Sequence, residues 1–314
     1  MKTKSKILNI LISSNEFVSG EVIAKKLSVS RVAVKKAVDK LRNEGYAITS
    51  VTNKGYFLEK NQGINKDIIK SYLTSDIDVI VLDKTESTNL DAKNLAESGK
   101  TCVVIALTQT GGKGRMDRKF HSPSGGVYLS VIIRPNLPIA SGVKITTFSA
   151  VAVRRAILNL CGLDLKIKWV NDLFLNGKKV CGILTEASCD FEQNLLKYAV
   201  VGIGINVDTE VFPSEISSIA TSLYNESKIK VDKNKLIAQI INCLLSAEKE
   251  INDGKYLDEY RKNCFILGKL VTVYSGSDVY DAIAVDINSN GSLTVNKNGQ
   301  NIVVSSGEVS VKLK

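Results

Sequence analysis

The sequence predicts an α+β fold with several domains, because three different residue patterns follow one another along its 314 residues. Short amphipathic helices come first, strands alternating with helices occupy the middle, and short strands with Gly, Asn and Ser turns fill the last fifty residues. Apolar residues make up 44% of the chain, which is typical of an ordinary folded core. We therefore expect domains over residues 1–62, 63–264 and 265–314.

The first segment has the pattern of a winged helix-turn-helix. Helical spacing starts over residues 5–12, Ser19 and Ser30 can cap two further helices, and Gly45 follows the third helix. Two short strands around the turn at 53–55 complete the wing. In this fold the second helix of the motif enters the major groove of DNA.

Charge supports DNA binding by this segment. The chain carries a net charge of +10, and residues 1–60 hold 12 Lys and Arg against 5 Asp and Glu. Such a positive field attracts phosphate backbones. Arg31, Lys35 and Lys36 are the expected DNA contacts, since they lie off the apolar face of the third helix. A small helical interaction module with a solvated basic face is the alternative.

The middle segment predicts a sheet interleaved with helices, after a polar linker at 61–67. We expect strands at 78–82, 102–107, 127–134, 165–170, 172–176, 179–187 and 197–206, and helices at 88–98, 139–161, 233–252 and 255–263. Asn176-Gly177 is a two-residue hairpin turn between two of the strands. The last fifty residues predict a small β-barrel.

Composition argues against several classes of protein. The six cysteines form no CxxC pair and His121 is the only histidine, so zinc sites and histidine triads have almost no side chains available. The longest apolar runs, CVVIAL and VYLSVII, fall far short of the roughly 18 residues of a membrane span. The N-terminus lacks the apolar segment of a secretion signal. We expect a cytoplasmic protein with no membrane association.

The stretch TQTGGKGRMDRKF at 108–120 concentrates glycine and positive charge. It is neither a Walker A sequence nor a dinucleotide-binding fingerprint. Its glycines let the backbone approach a ligand closely, while Lys113, Arg115 and Arg118 can bind phosphate or carboxylate oxygens. The stretch therefore predicts an anion-binding loop, with a solvated mobile loop as the alternative.

Four segments occur in a fixed order along the chain. They are KTESTNLDAK at 84–93, TQTGGKGRMDRKFHSPSGGVYLS at 108–130, KIKWVNDLFLNGKKVCGILTE at 166–186 and VVGIGINV at 200–207. Together they resemble the biotin protein ligases, in particular the bifunctional kind that also represses the biotin operon. The resemblance covers nearly the whole chain. It implies an N-terminal winged helix-turn-helix, a central α/β ligase domain with a mixed sheet and a C-terminal small SH3-like β-barrel.

The resemblance implies a biotin-[acetyl-CoA-carboxylase] ligase, which is an ATP-dependent, adenylate-forming enzyme. Biotin and ATP with Mg2+ would give biotinyl-5'-AMP and pyrophosphate. The biotinyl group would then pass to a lysine of the biotin carboxyl carrier protein of acetyl-CoA carboxylase or another biotin-dependent carboxylase. Biotin, as biotinyl-5'-AMP, would also be the co-repressor that promotes a homodimer on operator DNA.

The motif positions carry the family's site residues onto this chain. Lys168 and Arg115 would be catalytic, since negative charge builds on the phosphorus oxygens when a carboxylate attacks the α-phosphate. The implied biotin-binding residues are Ser87, Thr88, Asn89, Gln109, Lys113, Arg115 and Gly182. The implied ATP- and adenylate-binding residues are Arg115, Arg118, Lys168, Asn171, Lys179 and Asn206. The resemblance leaves the metal ligands unknown. Ser87 is also placed to cap the following helix.

Three positions depart from the family pattern. Lys113 replaces the first arginine of GRGR, Phe120 replaces a frequent tryptophan and Val170 replaces the proline of KWPND. A lysine offers a point charge where arginine offers a planar, two-pronged donor. Because Arg115 and Lys168 are both present, we expect altered affinity or loop dynamics rather than loss of the reaction.

Two other functions are compatible with parts of this pattern. A lipoate-type protein ligase shares the catalytic architecture and also modifies a carrier lysine, but the GGKGR loop and the winged head favour the biotin enzyme. A non-catalytic repressor that only senses biotin is the second, and the presence of Lys168 and Arg115 favours catalysis over it.

Overall fold

A computed structural model describes residues 3–59, 63–275 and 278–305, and the backbone of 309–313. The chain divides into two compact units, Met1–Tyr72 and Leu73–Lys314. No helix in this described part is both long and apolar enough to cross a membrane. The domain boundaries expected at 62/63 and 264/265 stay predictions.

The N-terminal unit consists of short helices and a two-stranded sheet. Its elements are α1 (Thr3–Ser13), α2 (Gly20–Leu27), α3 (Arg31–Asn43), β1 (Ile48–Val51), β2 (Gly55–Leu58) and α4 (Lys66–Tyr72). β1 and β2 pair in antiparallel fashion around Asn53 and Gly55, whose φ angles are 65° and 109°. Three helices followed by this hairpin confirm the predicted winged helix-turn-helix.

Two serine caps define the helix-turn-helix, as predicted. The Oγ of Ser19 accepts a hydrogen bond from the backbone N of Val22, and the Oγ of Ser30 accepts one from Ala33, both at 3.1 Å. Each cap satisfies an amide that the first turn of a helix leaves unpaired. The buried side chains of α3, which pack with those of α1 and α2, are Val34, Val38 and Leu41.

Helix α4 corrects the linker predicted at 61–67, of which residues 61 and 62 lie outside the described residues. The Oδ1 of Asn65 accepts hydrogen bonds from the backbone N of Asp67 and Ile68, at 2.9 Å and 3.2 Å. This cap starts a helix within a polar stretch. Ile68 is buried with the core of the N-terminal unit, so burial rather than composition decides the structure here.

The second unit contains a large mixed sheet, its helices and a small C-terminal sheet. The central elements are β3 (Asp78–Thr85), α5 (Thr88–Glu97), β4 (Cys102–Gln109), β5 (Val127–Ile133), α6 (Gly142–Cys161), β6 (Lys166–Lys168), β7 (Asp172–Leu175), β8 (Lys178–Asp190), β9 (Leu195–Ile205), α7 (Leu223–Ser227), α8 (Lys233–Leu245), α9 (Ala247–Asp253) and α10 (Tyr256–Asn263). The C-terminal strands are β10 (Leu270–Ser275), β11 (Asp278–Ile287), β12 (Leu293–Lys297), β13 (Gln300–Val304) and β14 (Val309–Leu313).

The central sheet has the strand order β3-β4-β5-β9-β8-β7-β6. β3 and β4 are parallel and the other neighbouring pairs are antiparallel, which confirms the predicted mixed sheet. Helix α5 packs against β4, β5 and β9, and α6 packs against β8. Asn176 and Gly177 join β7 to β8 with φ angles of 49° and 80°, as a two-residue hairpin turn requires.

The C-terminal strands form an antiparallel sheet in the order β13-β12-β11-β10-β14. This arrangement matches the predicted run of short strands. Closure into an SH3-like barrel stays a prediction.

The helix predicted at 233–252 is wrong as a single element, because Ser246 separates α8 from α9. Ser246 has φ −93° and ψ 7°, and its Oγ donates a hydrogen bond to the carbonyl of Cys243 at 2.8 Å. A serine hydroxyl that bonds to nearby backbone competes with continuation of a helix. The strand predicted at 165–170 is also shorter, since Trp169 and Val170 already belong to the turn that follows β6.

Candidate active site

One cleft in the central domain collects almost every side chain predicted for the site. It encloses about 950 Å³, including the open space at its mouth. The predicted residues that line it are Ser87, Thr88, Asn89, Gln109, Lys113, Arg115, Arg118, Lys168, Asn171, Lys179 and Gly182. Phe120, Trp169, Asp172, Gly202 and Gly204 line it as well. Arg115 and Lys168, which are far apart in the sequence, therefore share one cavity.

Hydrogen bonds join the polar side chains on one wall of the cleft. The Oε1 of Gln109 accepts from the backbone N of Thr88 at 2.8 Å and from its Oγ1 at 3.1 Å. The Nε2 of Gln109 donates to the Oγ of Ser122 at 3.0 Å. The Oγ of Ser130 lies 2.8 Å from Thr88 Oγ1 and donates to the Oδ1 of Asn89 at 2.6 Å. These partners fix the orientation of the Gln109 amide.

The same network continues from Asn89 to an ion pair. The Nδ2 of Asn89 donates to Glu186 Oε2 at 2.9 Å, and Lys93 Nζ donates to Glu186 Oε1 at 3.0 Å. The hydrogen bond to Glu186 raises the pKa of the Lys93 ammonium above its ordinary value. Thr88, Asn89 and Ser130 are all buried, and buried polar groups need partners. The wall is therefore a rigid polar surface.

Ser87 precedes α5 at the N-cap position but does not cap it. Its φ and ψ are −158° and 127°, and its side chain makes no capping hydrogen bond. The prediction that Ser87 caps this helix is wrong, because no amide of the first turn donates to its side chain. The amide of Thr88, the first residue of the helix, donates to Gln109 Oε1. The Ser87 hydroxyl is thus not committed to the first turn of α5, and it lines the cleft.

Glycines on β8 and β9 let side chains lie directly on the sheet. Gly182 and Gly204 are paired across the two strands. A Cβ on Gly204 would lie 2.4 Å from a ring carbon of Phe120, and a Cβ on Gly202 would lie 2.0 Å from Asn89 Oδ1. Both distances are too short for any side chain, so glycine is required where Phe120 and Asn89 pack.

The glycine-rich basic loop folds back on itself as a short hairpin. The backbone N of Phe120 donates to the carbonyl of Gly112 at 2.8 Å. Lys113 Nζ forms an ion pair with Asp117 Oδ1 at 3.1 Å within the loop. Met116 and Asp117 have φ angles of 55° and 54°, which is unusual for residues other than glycine. The hairpin therefore holds its tight bend between Lys113 and Phe120.

Basic side chains from three elements converge around Asp172. Lys179 Nζ on β8 lies 2.7 Å from Asp172 Oδ1. Lys168, at the end of β6, pairs in register with Asp172 on β7. Burial lowers the pKa of the Arg115 guanidinium, and the nearby Asp172 carboxylate acts in the opposite direction. Asp172 thus links the cations of the loop to those of the sheet.

Asn206 is the predicted residue that lies outside the cleft lining. Asn206 is buried directly after the last residue of β9. Its Nδ2 donates to the carbonyl of Thr221 at 3.0 Å. Its Oδ1 has no hydrogen-bond partner within the described part of the chain. The contact with the adenylate stays a prediction.

The predicted DNA contacts lie together on one helix of the N-terminal unit. Arg31, Lys35 and Lys36 are exposed on α3, while its apolar side chains face the core. Val32 between them is 64% exposed. A helix with a basic, accessible surface of this kind fits the electrostatic requirement for DNA binding.

Sequence reasoning missed three polar residues that shape the cleft. Ser130 is a single hydroxyl in the apolar strand VYLSVII, and that polar interruption was the available sign of its role. Glu186 and Asp172 stand inside recognised motifs, but their partners Asn89 and Lys179 come from other elements. Such pairings depend on the tertiary fold.

Comparison with known proteins shows the family to which the chain belongs. Residues 79–206 match the Biotin/lipoate A/B protein ligase family, and residues 3–57 match a family described as HTH domain. The chain is 38% identical over 250 residues to the Bifunctional ligase/repressor BirA of Bacillus subtilis (strain 168), covering 77% of this chain and 75% of that relative. The chain belongs to the bifunctional biotin protein ligase/repressor family.

Other relatives of this ligase/repressor extend the match. The Bifunctional ligase/repressor BirA of Escherichia coli (strain K12) is 28% identical over 309 residues, covering 96% of this chain and 95% of that relative. The fold is also similar to that of the biotin protein ligase from Aquifex aeolicus in complex with biotin and ATP. That likeness has a TM-score of 0.66 at 24% identity, over 76% of this chain and 99% of the other. The predicted family, enzyme class and overall fold are confirmed.

Proposed function

We propose that this ligase/repressor makes biotinyl-5'-AMP in the cleft and then transfers the biotinyl group to a carrier protein. A carboxylate oxygen of biotin forms a bond to the α-phosphorus of ATP, and the bond from that phosphorus to the bridging oxygen breaks as pyrophosphate leaves. A lysine amine of the carrier then attacks the acyl carbon, AMP leaves and the amine loses a proton. The carrier is the biotin carboxyl carrier protein of acetyl-CoA carboxylase or of another biotin-dependent carboxylase.

The observation that supports this proposal most strongly is the meeting of a rigid polar wall and a cation cluster in one cleft. The wall suits a neutral ring with several hydrogen-bonding groups. The cluster suits two anions that must approach one another, because fixed positive charge stabilises the negative charge that builds up during phosphoryl transfer. A molecule with such a ring and a carboxylate would place its two ends at these two regions.

Lys168 and Arg115 would have different roles at the bond that forms between the biotin carboxylate and the α-phosphate. Lys168 Nζ would bridge the biotin carboxylate and the α-phosphate. Lys168 is the register partner of Asp172 on β7, and this strand pairing holds the end of β6 in place. Arg115 would hold carboxylate and phosphate oxygens with its planar, two-pronged guanidinium. Arg118, Asn171 and Lys179 would contact the nucleotide part.

The polar wall would recognise the ureido ring of biotin, which has one carbonyl acceptor and two N–H donors. Ser87 and Thr88 supply hydroxyls, and Gln109 supplies an amide whose orientation is fixed by its partners. Asn89 supports the wall, since both ends of its amide are already used by Ser130 and Glu186. Gly182 would let the ring system lie close to β8.

Gly202→Ala is expected to weaken biotin binding at least about tenfold, because its Cβ would displace Asn89 and leave buried partners unsatisfied. The measurement is the KM for biotin in pyrophosphate release. Gly142→Ala, where a Cβ would meet no atom within 4 Å, is the matched control and should behave as wild type. An unchanged KM for biotin in Gly202→Ala would show that Asn89 does not support the biotin site.

Mg2+ would enter this site as part of the MgATP substrate. Among the residues that the structure describes, no group of three or more His, Cys, Asp and Glu is arranged to hold a metal ion. Asp172, the one acidic side chain among the described residues of the cleft lining, is paired with Lys179. This donor set fits a cation that keeps its waters and is held mainly by substrate phosphates.

The hairpin between Gly111 and Phe120 would close over the adenylate. Its glycines permit movement, and its cations would shield the mixed anhydride from water until the carrier arrives. The mixed anhydride is also the co-repressor, so its retention serves both activities of the protein.

Repression would use the exposed basic surface of α3. Replacing Lys35 and Lys36 together by alanine should weaken operator binding. The slope of the logarithm of the binding constant against the logarithm of the salt concentration should become smaller in magnitude by about 2. Biotin ligation should stay at the wild-type rate. Lys66→Ala, on α4, is a control that removes an exposed charge outside the helix-turn-helix. An unchanged salt slope in the double variant would contradict DNA contact by α3.

Biotinyl-5'-AMP would couple the two activities by promoting a homodimer that presents two winged heads to operator DNA. Such coupling requires the ligand to bind the dimer more tightly than the monomer. Operator affinity should therefore rise when biotin and ATP are added together. Equal affinity with and without them would exclude this co-repressor role.

One assay separates the proposed function from its alternatives. The protein is mixed with ATP, labelled biotin or labelled lipoate, and a carrier domain. Label transfer from biotin alone supports the proposal, transfer from lipoate indicates a lipoate-type ligase, and no transfer from either indicates a biotin sensor without catalysis.

A further inference from the structure

Two buried hydrogen bonds hold the segment that follows Lys168. The Nε1 of Trp169 donates to the carbonyl of Gly291, in the turn between β11 and β12 of the C-terminal sheet, at 3.0 Å. The carbonyl of Val170 accepts from the hydroxyl of Tyr260 on α10, also at 3.0 Å. Both bonds lie within two residues of Lys168, and the proposed chemistry uses neither of them directly. The turn after β6 is therefore fixed from α10 and from the C-terminal sheet.

Helix α10 is itself anchored on two sides. Glu259 accepts hydrogen bonds from Arg154 Nη1 at 2.9 Å and from Arg155 Nε at 2.8 Å, which tie α10 to α6. Arg261 Nε donates to the carbonyl of Ile287 at 2.8 Å, which ties α10 to the C-terminal sheet. These charge-assisted bonds leave α10 little freedom to move relative to its neighbours.

Tyr260 is a donor that cannot easily change its state or its partner. Its side chain is fully buried, and this burial raises the pKa of the phenol well above its ordinary value. The hydroxyl therefore remains protonated and needs an acceptor, which Val170 O supplies. Losing this bond would leave a buried carbonyl unsatisfied and free the backbone that carries Lys168.

We propose that Tyr260 is a positioning residue for adenylate formation, and that it acts by fixing the turn that aims Lys168 at the biotin carboxylate and the α-phosphate. The proposal rests on the proposed role of Lys168. On this proposal, α10 and the C-terminal sheet contribute to adenylate formation by holding the turn after β6 in place. A displacement of about 1 Å in a reacting group can lower a rate by up to about a hundredfold.

Tyr260→Phe tests this proposal because it removes only the hydroxyl. We expect kcat for pyrophosphate release to fall about tenfold while the KM values for biotin and ATP change by less than about twofold. Tyr256→Phe is the matched control. Tyr256 is equally buried on the same helix, but its hydroxyl lies 3.1 Å from Thr147 Oγ1 and 3.3 Å from Lys144 O. This control should keep kcat within about twofold of wild type.

A double-mutant cycle tests whether Tyr260 affects kcat through Lys168. In a Lys168→Ala background, Tyr260→Phe should cause no further loss of kcat. Trp169→Phe, which keeps an aromatic ring but removes the bond to Gly291, should show the same split between kcat and KM. The proposal is overturned if Tyr260→Phe and Tyr256→Phe lower kcat equally, or if Tyr260→Phe lowers kcat by the same factor without Lys168. Wild-type activity of Lys168→Ala alone would instead remove the proposed role of Lys168.

Discussion

Lys168→Ala is expected to lower the rate of pyrophosphate release from biotin and ATP by about 10²- to 10³-fold. The reaction brings a carboxylate and a phosphate together, and Lys168 is a cation at the end of β6 that lines the cleft in which we propose that they meet. The loss should appear mainly in kcat, because the charge matters most when it builds up in the transition state. The measurement is pyrophosphate release at saturating biotin and ATP.

Lys166→Ala provides a matched control for this result. Lys166 lies two residues earlier on the same strand, and its exposed Nζ pairs with Asp164 Oδ2 at 2.7 Å. Removing it deletes the same charge from β6 without touching the cleft, so adenylate formation should stay close to wild type. Thermal unfolding of both variants checks that the fold is intact. A wild-type rate in folded Lys168→Ala would remove this residue from the mechanism.

Arg115→Ala is expected to release biotinyl-5'-AMP into solution, with a dissociation rate roughly ten- to a hundredfold above wild type. Arg115 is partly buried in the cleft and interacts with Asp172, so its guanidinium is held where the loop meets the sheet. Charge-assisted, two-pronged contacts to carboxylate and phosphate are strong and depend on geometry. Free adenylate appearing during turnover, detected by chromatography, is the measurement.

Arg115→Lys distinguishes charge from geometry in the same experiment. Lysine keeps the positive charge but offers a single point donor, so its release rate should lie between those of wild type and Arg115→Ala. Tight retention of the adenylate by Arg115→Ala would contradict the role of this side chain as a clamp. Equal release from both variants would show that the planar guanidinium accounts for the retention.

Local signals in the sequence were sufficient for much of the fold. Ser19 and Ser30 were recognised as caps because a hydroxyl at the N-cap satisfies an amide only a few residues away. Asn176-Gly177 was recognised because few residues adopt the positive φ angles of a two-residue hairpin. Ser246 was missed, since the apolar spacing around it continues as if the helix did not end.

The sequence predicts those residues of the site that lie inside a recognised motif. Lys168 and Arg115 were placed in one cavity from the resemblance, and the structure brings them together. The supporting residues were not predictable, because Ser130, Glu186 and Tyr260 make their hydrogen bonds across long sequence separations. Nothing in a single segment indicates which distant donor a buried carbonyl or amide will find.

Lys113 is exposed and pairs with Asp117 within its own loop, whereas the other two departures from the family pattern contact other elements of the central domain. Phe120 lies against the backbone of Gly204 and Gly182, with Lys179 Nζ 5.8 Å from its ring centroid. Val170 keeps its carbonyl bonded to Tyr260. Phe120 thus lines the cleft and Val170 lies in the turn beside Lys168, so neither substitution removes a cation of the cleft.

The central claim is that Arg115 and Lys168 act on the same acyl-nucleotide junction. A crystal structure of the protein with bound biotinyl-5'-AMP tests it most directly. We predict that Lys168 Nζ and the Arg115 guanidinium both lie within about 3 Å of oxygens at the bond between the biotinyl group and the α-phosphate. A ligand bound elsewhere, or a junction that neither cation contacts, would contradict the account.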